Sequence, residues 1–215
     1  MSTAVNKNNI DTSISLPRKL SKSDKTRAQV LQAAIDCIYE DGFNAAHTNR
    51  IAERANVSWG VLQYHFGDKS ALLQAVLDSI FAKYTQALQD TNLASVTLEQ
   101  SIEQLIDTIW TLLSKPDYRV SMAILHNAGR GDSAIIDGRK IIEMWSVEIG
   151  KLWNTLFNDR DKQPENSNTA KRLMFATIRG LADELNPESH NSKKGIHKEL
   201  TALRDTPVSY THLRA

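Results

Sequence analysis

Apolar residues recur at three- and four-residue spacing along most of this chain, a pattern that predicts a series of amphipathic helices. Val30, Leu31, Ala34, Ile35 and Ile38 make the first stripe, so a helix is expected from a Ser23 cap to about Asp41, with Gly42 as its stop. Ile51, Ala52 and Ala55 give a short second helix one apolar face, and Leu62 and Phe66 do the same for a third. Between these two, Asn56 falls where the chain must turn, because Asn tolerates left-handed backbone. Val57 plugs the corner, Ser58 caps the third helix, Gly67 ends it and Asp68 caps the next. Phe43 is expected to pack beneath this unit. Two short helices joined by a tight turn make a helix-turn-helix, whose second helix enters the DNA major groove.

The pattern continues beyond the turn. Leu72, Leu73, Val76, Leu77, Ile80, Phe81 and Tyr84 line a helix to about Gln89. Thr97 and Gln100 form a capping box for a helix to about Ser114, and Pro116 opens another that ends near Gly129. Asp132 is expected to cap a long helix through about Asn158, with Ile142, Trp145, Ile149 and Trp153 among its lining residues. After the polar loop 159–168, Thr169–Leu185 carries Leu173, Met174, Ile178 and Leu181 inward, and Pro187 ends it. A weaker helix is expected over Lys198–Arg204. No proline interrupts the stretch between Pro17 and Pro116, and no strand alternation, internal repeat or heptad run is visible. The expected fold class is all-α.

Composition changes this picture little. At 215 residues, 41% hydrophobic and 24% charged, the chain reads as an ordinary soluble protein. It has no apolar run approaching the roughly 18 residues of a membrane span. The opening MSTAVNKNNI lacks a hydrophobic signal region, so the expected compartment is the cytoplasm, with no membrane partner. The single cysteine, Cys37, sits on an apolar helix pattern and is expected to be buried packing. His126 with Asp132, or His190 with Glu188, lacks any nucleophile elbow, phosphate loop or metal-ligand spacing. No catalytic residues, metal or cofactor are therefore expected.

Charge matters only in its distribution. The formal net charge is +1, but the first 27 residues hold six basic residues against Asp11 and Asp24. Residues 1–22 are polar and aperiodic, so a disordered basic arm is expected there, either touching phosphates or simply solvated.

Thr48, Ile51-Ala52, Ala55, Val57-Ser58, Gly60, Leu62, Tyr64-His65-Phe66, Lys69 and Leu72 closely resemble the signature of the TetR family of one-component bacterial regulators. The resemblance spans about Thr26–Leu88 without a gap. It implies an N-terminal three-helix helix-turn-helix DNA-binding domain, residues 23–67, and a C-terminal helical ligand-binding and dimerisation domain, residues 68–206. It further implies a homodimer on a double-stranded, palindromic DNA operator, and a repressor released by a small, largely apolar effector. An alternative is a DNA-binding or nucleoid-type protein without small-molecule control.

The resemblance also implies residue roles. Thr48, Tyr64, His65 and Lys69 match positions that grip phosphates. Asn49, Ser58, Trp59, Gly60, Val61 and Gln63 lie where family members reach base edges. Val61 suits a thymine methyl and Gln63 a two-pronged pair with adenine. Many members carry Tyr where Gln63 stands, so this departure marks operator preference. Arg50 and Arg54 are either further contacts or an exposed face. Trp110, Tyr118, Met122, His126, Trp145 and Arg179 fall on helices that line the effector cavity in relatives, or else belong to the core. Arg179 pairs an effector carboxylate or Asp183. The last two helices, Thr169–Leu185 and Lys198–Arg204, are expected at the dimer interface. Val208–Ala215, VSYTHLRA, resembles the conceptual translation of a sequencing-library adaptor, so residues 207–215 are expected to be a non-native tail.

Overall fold

The structure is a computed structural model, and it describes residues 21–93, 97–127, 138–157, 166–184 and 198–204. The basic arm through residue 20, the tail, and the expected roles of Asp132, Leu185, Glu188 and His190 lie outside the described residues. Among the described residues the regular structure is all helical: α1 (Lys22–Asp41), α2 (Thr48–Arg54), α3 (Trp59–Phe66), α4 (Lys69–Gln89), α5 (Leu98–Leu113), α6 (Pro116–Asn127), α7 (Gly138–Thr155) and α8 (Ser167–Glu184). A further helical segment covers 198–204.

Helix ends follow local chemistry. Ser58 Oγ accepts from Val61 N–H at 3.3 Å, and Asp68 Oδ1 accepts from Ala71 N–H at 2.8 Å. Thr97 and Gln100 form the reciprocal capping box. The first helix starts earlier than the expected Ser23 cap. Ser21 is its N-cap, because Asp24 three residues on returns a bond to the Ser21 N–H. From Ser23 the matching position is Thr26, whose hydroxyl instead donates to Lys22 O within the helix at 3.0 Å.

The turn between α2 and α3 closes in two bonds. Asn56 N–H reaches Glu53 O at 2.9 Å and Val57 N–H reaches Ala52 O at 3.0 Å. This is the bond pair of a left-handed helix end, and Asn56 sits there at φ 50°. Replacing Asn56 by Val should destabilise the chain by about 1–2 kcal/mol, since a β-branched residue resists that backbone. Asn56→Gly should cost nothing. Urea unfolding of the two variants checks this, and a Val variant as stable as the parent would refute it.

The helix α4 organises the rest, packing on α1, α3, α5, α6 and α7. Leu72, Leu73, Val76, Leu77, Ile80 and Tyr84 are all sealed from solvent along it. Helix α1 also packs on α6, so the N-terminal unit touches the body through α6 as well as α4. Cys37 is fully buried. Phe43 is half-buried against the core, with the Lys69 ammonium 5.3 Å from its ring centroid. Two expected core positions are on the outside: Ile142 is 49% exposed and Leu173 is 44% exposed. On α7 the buried line runs through Ile141, Ile149 and Trp153, one residue's rotation away from Ile142.

Candidate nucleic-acid interface

Helix α3 has two unlike faces. Leu62 and Phe66 are buried and pin it to the core, whereas Ser58, Trp59, Gly60, Gln63 and Tyr64 are exposed. Trp59, Gly60, Gln63 and Tyr64 recur at four-residue intervals in pairs, which sets them on one strip. Val61 and His65 flank that strip, half-buried. Tyr64 is 85% exposed and Trp59 is 52% exposed. A side chain as open as Tyr64 contributes little to the fold's own burial. A Cβ added at Gly60 would meet only Ser58 Oγ at 3.9 Å. The chain's own packing therefore does not require glycine here, and the space left open lies outside the molecule.

The remaining predicted contacts surround this strip. Thr48 is the first residue of α2, half-buried, beside exposed Asn49. Its N-cap, His47, makes no side-chain cap. Lys69 opens α4 directly after the α3 stop at Gly67. Partial burial pulls its ammonium below the ordinary lysine value. Tyr64 and His65 lie edge to face at 5.3 Å.

Four residues that sequence reasoning left aside or undecided hold the motif in place. Arg27 donates to His65 O at 3.1 Å, with its guanidinium 4.5 Å from the Phe66 ring centroid. A cation there also faces the negative end of α3. Gln29 donates to Ala55 O at 2.8 Å, satisfying a carbonyl at the end of α2. One helix, α1, thus holds the C-termini of both motif helices. Nothing local signals either contact, since the partners are 38 and 26 residues apart. Arg54, with Arg50, faces the acidic end of α1: Arg50 pairs with Asp41 at 2.8 Å, and Arg54 with Glu40 and Asp41. Glu40 and Asp41 sit at the unfavourable end of the helix dipole, and these arginines offset that. Both arginines are thereby tied to α1.

The effector candidates differ in burial. Tyr118 is buried on α6; Met122, Trp110 and Trp145 are half-buried; His126 and Arg179 are exposed. Burial pushes the Tyr118 hydroxyl up to about 12, and nearby Asp183 adds to this while Arg179 opposes it. Trp145 packs against Phe81 and Tyr84 of α4. A groove of about 630 Å³ between the end of α4 and α5 contains none of the six; Asp90, Gln100, Glu103, Asp107 and Lys115 are on its wall. Among the described residues no group of His, Cys, Asp or Glu has metal-site geometry, and no helix is long and apolar enough to cross a membrane.

Comparison with known proteins agrees with this geometry. The family profile described as "Bacterial regulatory proteins, tetR family" matches residues 30–76, from the middle of α1 into α4. The HTH-type transcriptional repressor NicS of Pseudomonas putida is 26% identical over 113 residues, covering 53% of each chain. The chain thus spans about half the length of that relative. The fold extends further. The structure of Salmonella enterica GusR superposes with a TM-score of 0.66 at 20% identity, covering 90% of this chain and 99% of that one. LfrR from Mycobacterium smegmatis, solved in complex with proflavine, superposes with a TM-score of 0.59 at 14% identity, covering 88% and 98%. The profile match and the helix-turn-helix signature show that residues 30–76 are a TetR-family helix-turn-helix domain, and the superpositions show that the chain shares the helical fold of these regulators.

Proposed function

We propose that this chain is a ligand-responsive, DNA-binding transcriptional repressor that acts in the cytoplasm as a homodimer. The observation that carries this reading is the strip Trp59, Gly60, Gln63 and Tyr64, exposed on a helix whose opposite side is locked into the core. In this reading Asn49, Ser58, Trp59, Gly60, Val61 and Gln63 address base edges, and Thr48, Tyr64, His65 and Lys69 hold phosphates.

One such head buries too little surface to select a site in a genome, so two must act together on a near-palindromic operator. The outer face of α8 supports pairing. Thr169, Leu173, Ala176, Thr177 and Gly180 are all exposed there at helical spacing. An added Cβ at Gly180 would meet nothing within 4 Å, so a second helix has room to approach. The segment 198–204, assigned to the same interface by resemblance, buries Leu200 and Leu203 in its own chain and pairs Arg204 with Asp107 of α5. Lys198, Glu199, Thr201 and Ala202 remain on its outer side. An effector bound in the body shifts the population of α4 orientations, and the heads then no longer match the half-site spacing. The LfrR structure, of the same fold and solved in complex with proflavine, supports control by a small molecule.

DNA selected from a random pool, followed by gel shifts, tests the reading. Gln63→Ala should reorder the affinities of operator variants by about 1–3 kcal/mol at one base pair. An unchanged ranking would remove Gln63 from sequence reading. Equal binding of every duplex would favour the nucleoid-type alternative.

A further inference from the structure

The composition of α3 limits which bases it can read. The helix is WGVLQYHF and contains no Arg, Lys, Asp or Glu. In the major groove, guanine is singled out by an arginine or lysine bonded to both O6 and N7, and cytosine by a carboxylate that accepts from N4. Neither partner is on this helix. Its basic residue, His65, is seventh of eight and half-buried, whereas a recognition helix reads bases with its N-terminal residues.

A cation could still come from a neighbouring element, but those around α3 face other partners. On α2, Arg50 turns to Asp41 at 2.8 Å, and Arg54 turns to Glu40 and Asp41, with its Nη1 3.9 Å from Cys37 Sγ. Both therefore point at the C-terminal end of α1. Lys69 follows the C-terminal end of α3 and lies 5.3 Å from the Phe43 ring centroid. Arg27 donates to His65 O at that same end. Lys22 and Lys25 open α1, the helix that carries Arg27.

What the reading face does present is apolar or an amide. Trp59 is 52% exposed, Val61 flanks it half-buried, and Gly60 between them leaves open space. Such surfaces suit the thymine C5-methyl. Gln63, and Asn49 on α2, are exposed and carry both a donor and an acceptor, the pair that adenine N7 and N6 require. The Trp59 indole N–H and the Ser58 hydroxyl each give a single bond. A single donor does not select guanine, because adenine N7 and thymine O4 accept it as well. Building on the DNA-binding reading above, we infer that the base pairs under α3 are A·T pairs, read by Trp59 and Val61 through thymine methyls and by Gln63 and Asn49 through adenine N6 and N7, with no guanine contact in the major groove.

Duplexes selected from a random pool by the full chain, then substituted one base at a time, provide the test. The contacted positions of each half-site should be A·T. Uracil for thymine removes only the C5-methyl and should weaken binding about fourfold at each contacted position, the worth of one buried carbon. 7-Deazaadenine, which lacks the N7 acceptor, should weaken binding by the parent chain at one position and make no difference there to Gln63→Ala. 7-Deazaguanine in place of every guanine should change the affinity by less than about twofold. The Arg50–Asp41 pair is an exposed one, so Arg50→Ala asks whether that arginine turns to DNA instead. The selected sequence should be unchanged in that variant. A loss of about tenfold or more with 7-deazaguanine, methyls removed without loss, or a base preference that disappears in Arg50→Ala would overturn the A·T assignment and leave sequence-specific binding standing. Equal binding of every duplex would overturn both.

Discussion

Leu62→Ala should lower the stability of the chain by about 2–5 kcal/mol, the range for a fully buried leucine cut to its Cβ. Leu62 is 1% exposed and, with Phe66, is what holds α3 against the rest of the N-terminal unit. In a protein of this length each kcal/mol moves the melting temperature by about 2–4 °C. Calorimetry should therefore find a drop of roughly 5–15 °C. Specific DNA binding should fall with it, because the exposed strip keeps its residues but loses its fixed position. Gln63→Ala, next along the same helix on the outer side, should stay within about 0.5 kcal/mol of the parent in stability. A Leu62→Ala variant that melts with the parent would mean that α3 is held by something other than its buried face.

The second large effect concerns pairing. Leu173→Glu places a charge in the middle of the outer face of α8, where Leu173 is 44% exposed. If that face meets its copy across a two-fold axis, the substitution sets two carboxylates against each other at the contact. Light scattering should then report the 24.1 kDa of a single chain. Affinity for an operator with two half-sites should fall by roughly 10²–10⁴-fold, the gain that a second tethered head confers. Circular dichroism should be unchanged, which separates lost pairing from lost folding. A variant that still pairs would move the interface to another surface, the exposed Ile142, Met144 and Val147 of α7 being the first to examine.

Much of the local architecture is legible in the chain because it depends on bonds between near neighbours. Ser58, Asp68, Thr97 and Pro116 stand at the helix starts expected of them, and Gly42, Asn56 and Gly67 at the ends, all three with positive φ. A cap is a contact over three residues, so the sequence contains both halves of it. Two starts are misplaced: α8 begins at Ser167, inside the expected loop, rather than at Thr169. For α1, Ser21 replaces Ser23 by the same rule of near neighbours: two serines compete, and the one with an acid three residues later prevails.

Periodicity tells a helix that it has an inner side but not how wide that side is. Ile142 and Leu173 fit their stripes in sequence and are exposed in the fold, because the width of cover is set by neighbouring helices. The same holds for the effector candidates, where His126 and Arg179 share a helix with buried residues and yet face outward.

By itself, then, the order of residues determined the helical series, most of its caps, the left-handed turn at Asn56 and a third helix with one apolar face. Each of these rests on interactions within one or two turns. Only the tertiary structure decided that Arg27 and Gln29 hold the ends of α3 and α2, that Arg50 and Arg54 serve the acidic end of α1, and that the Trp145 N–H is buried with no acceptor among the described residues. The physical reason is common to all three. A hydrogen bond or a burial between distant segments depends on where helices cross, and the crossing is fixed by the whole core at once.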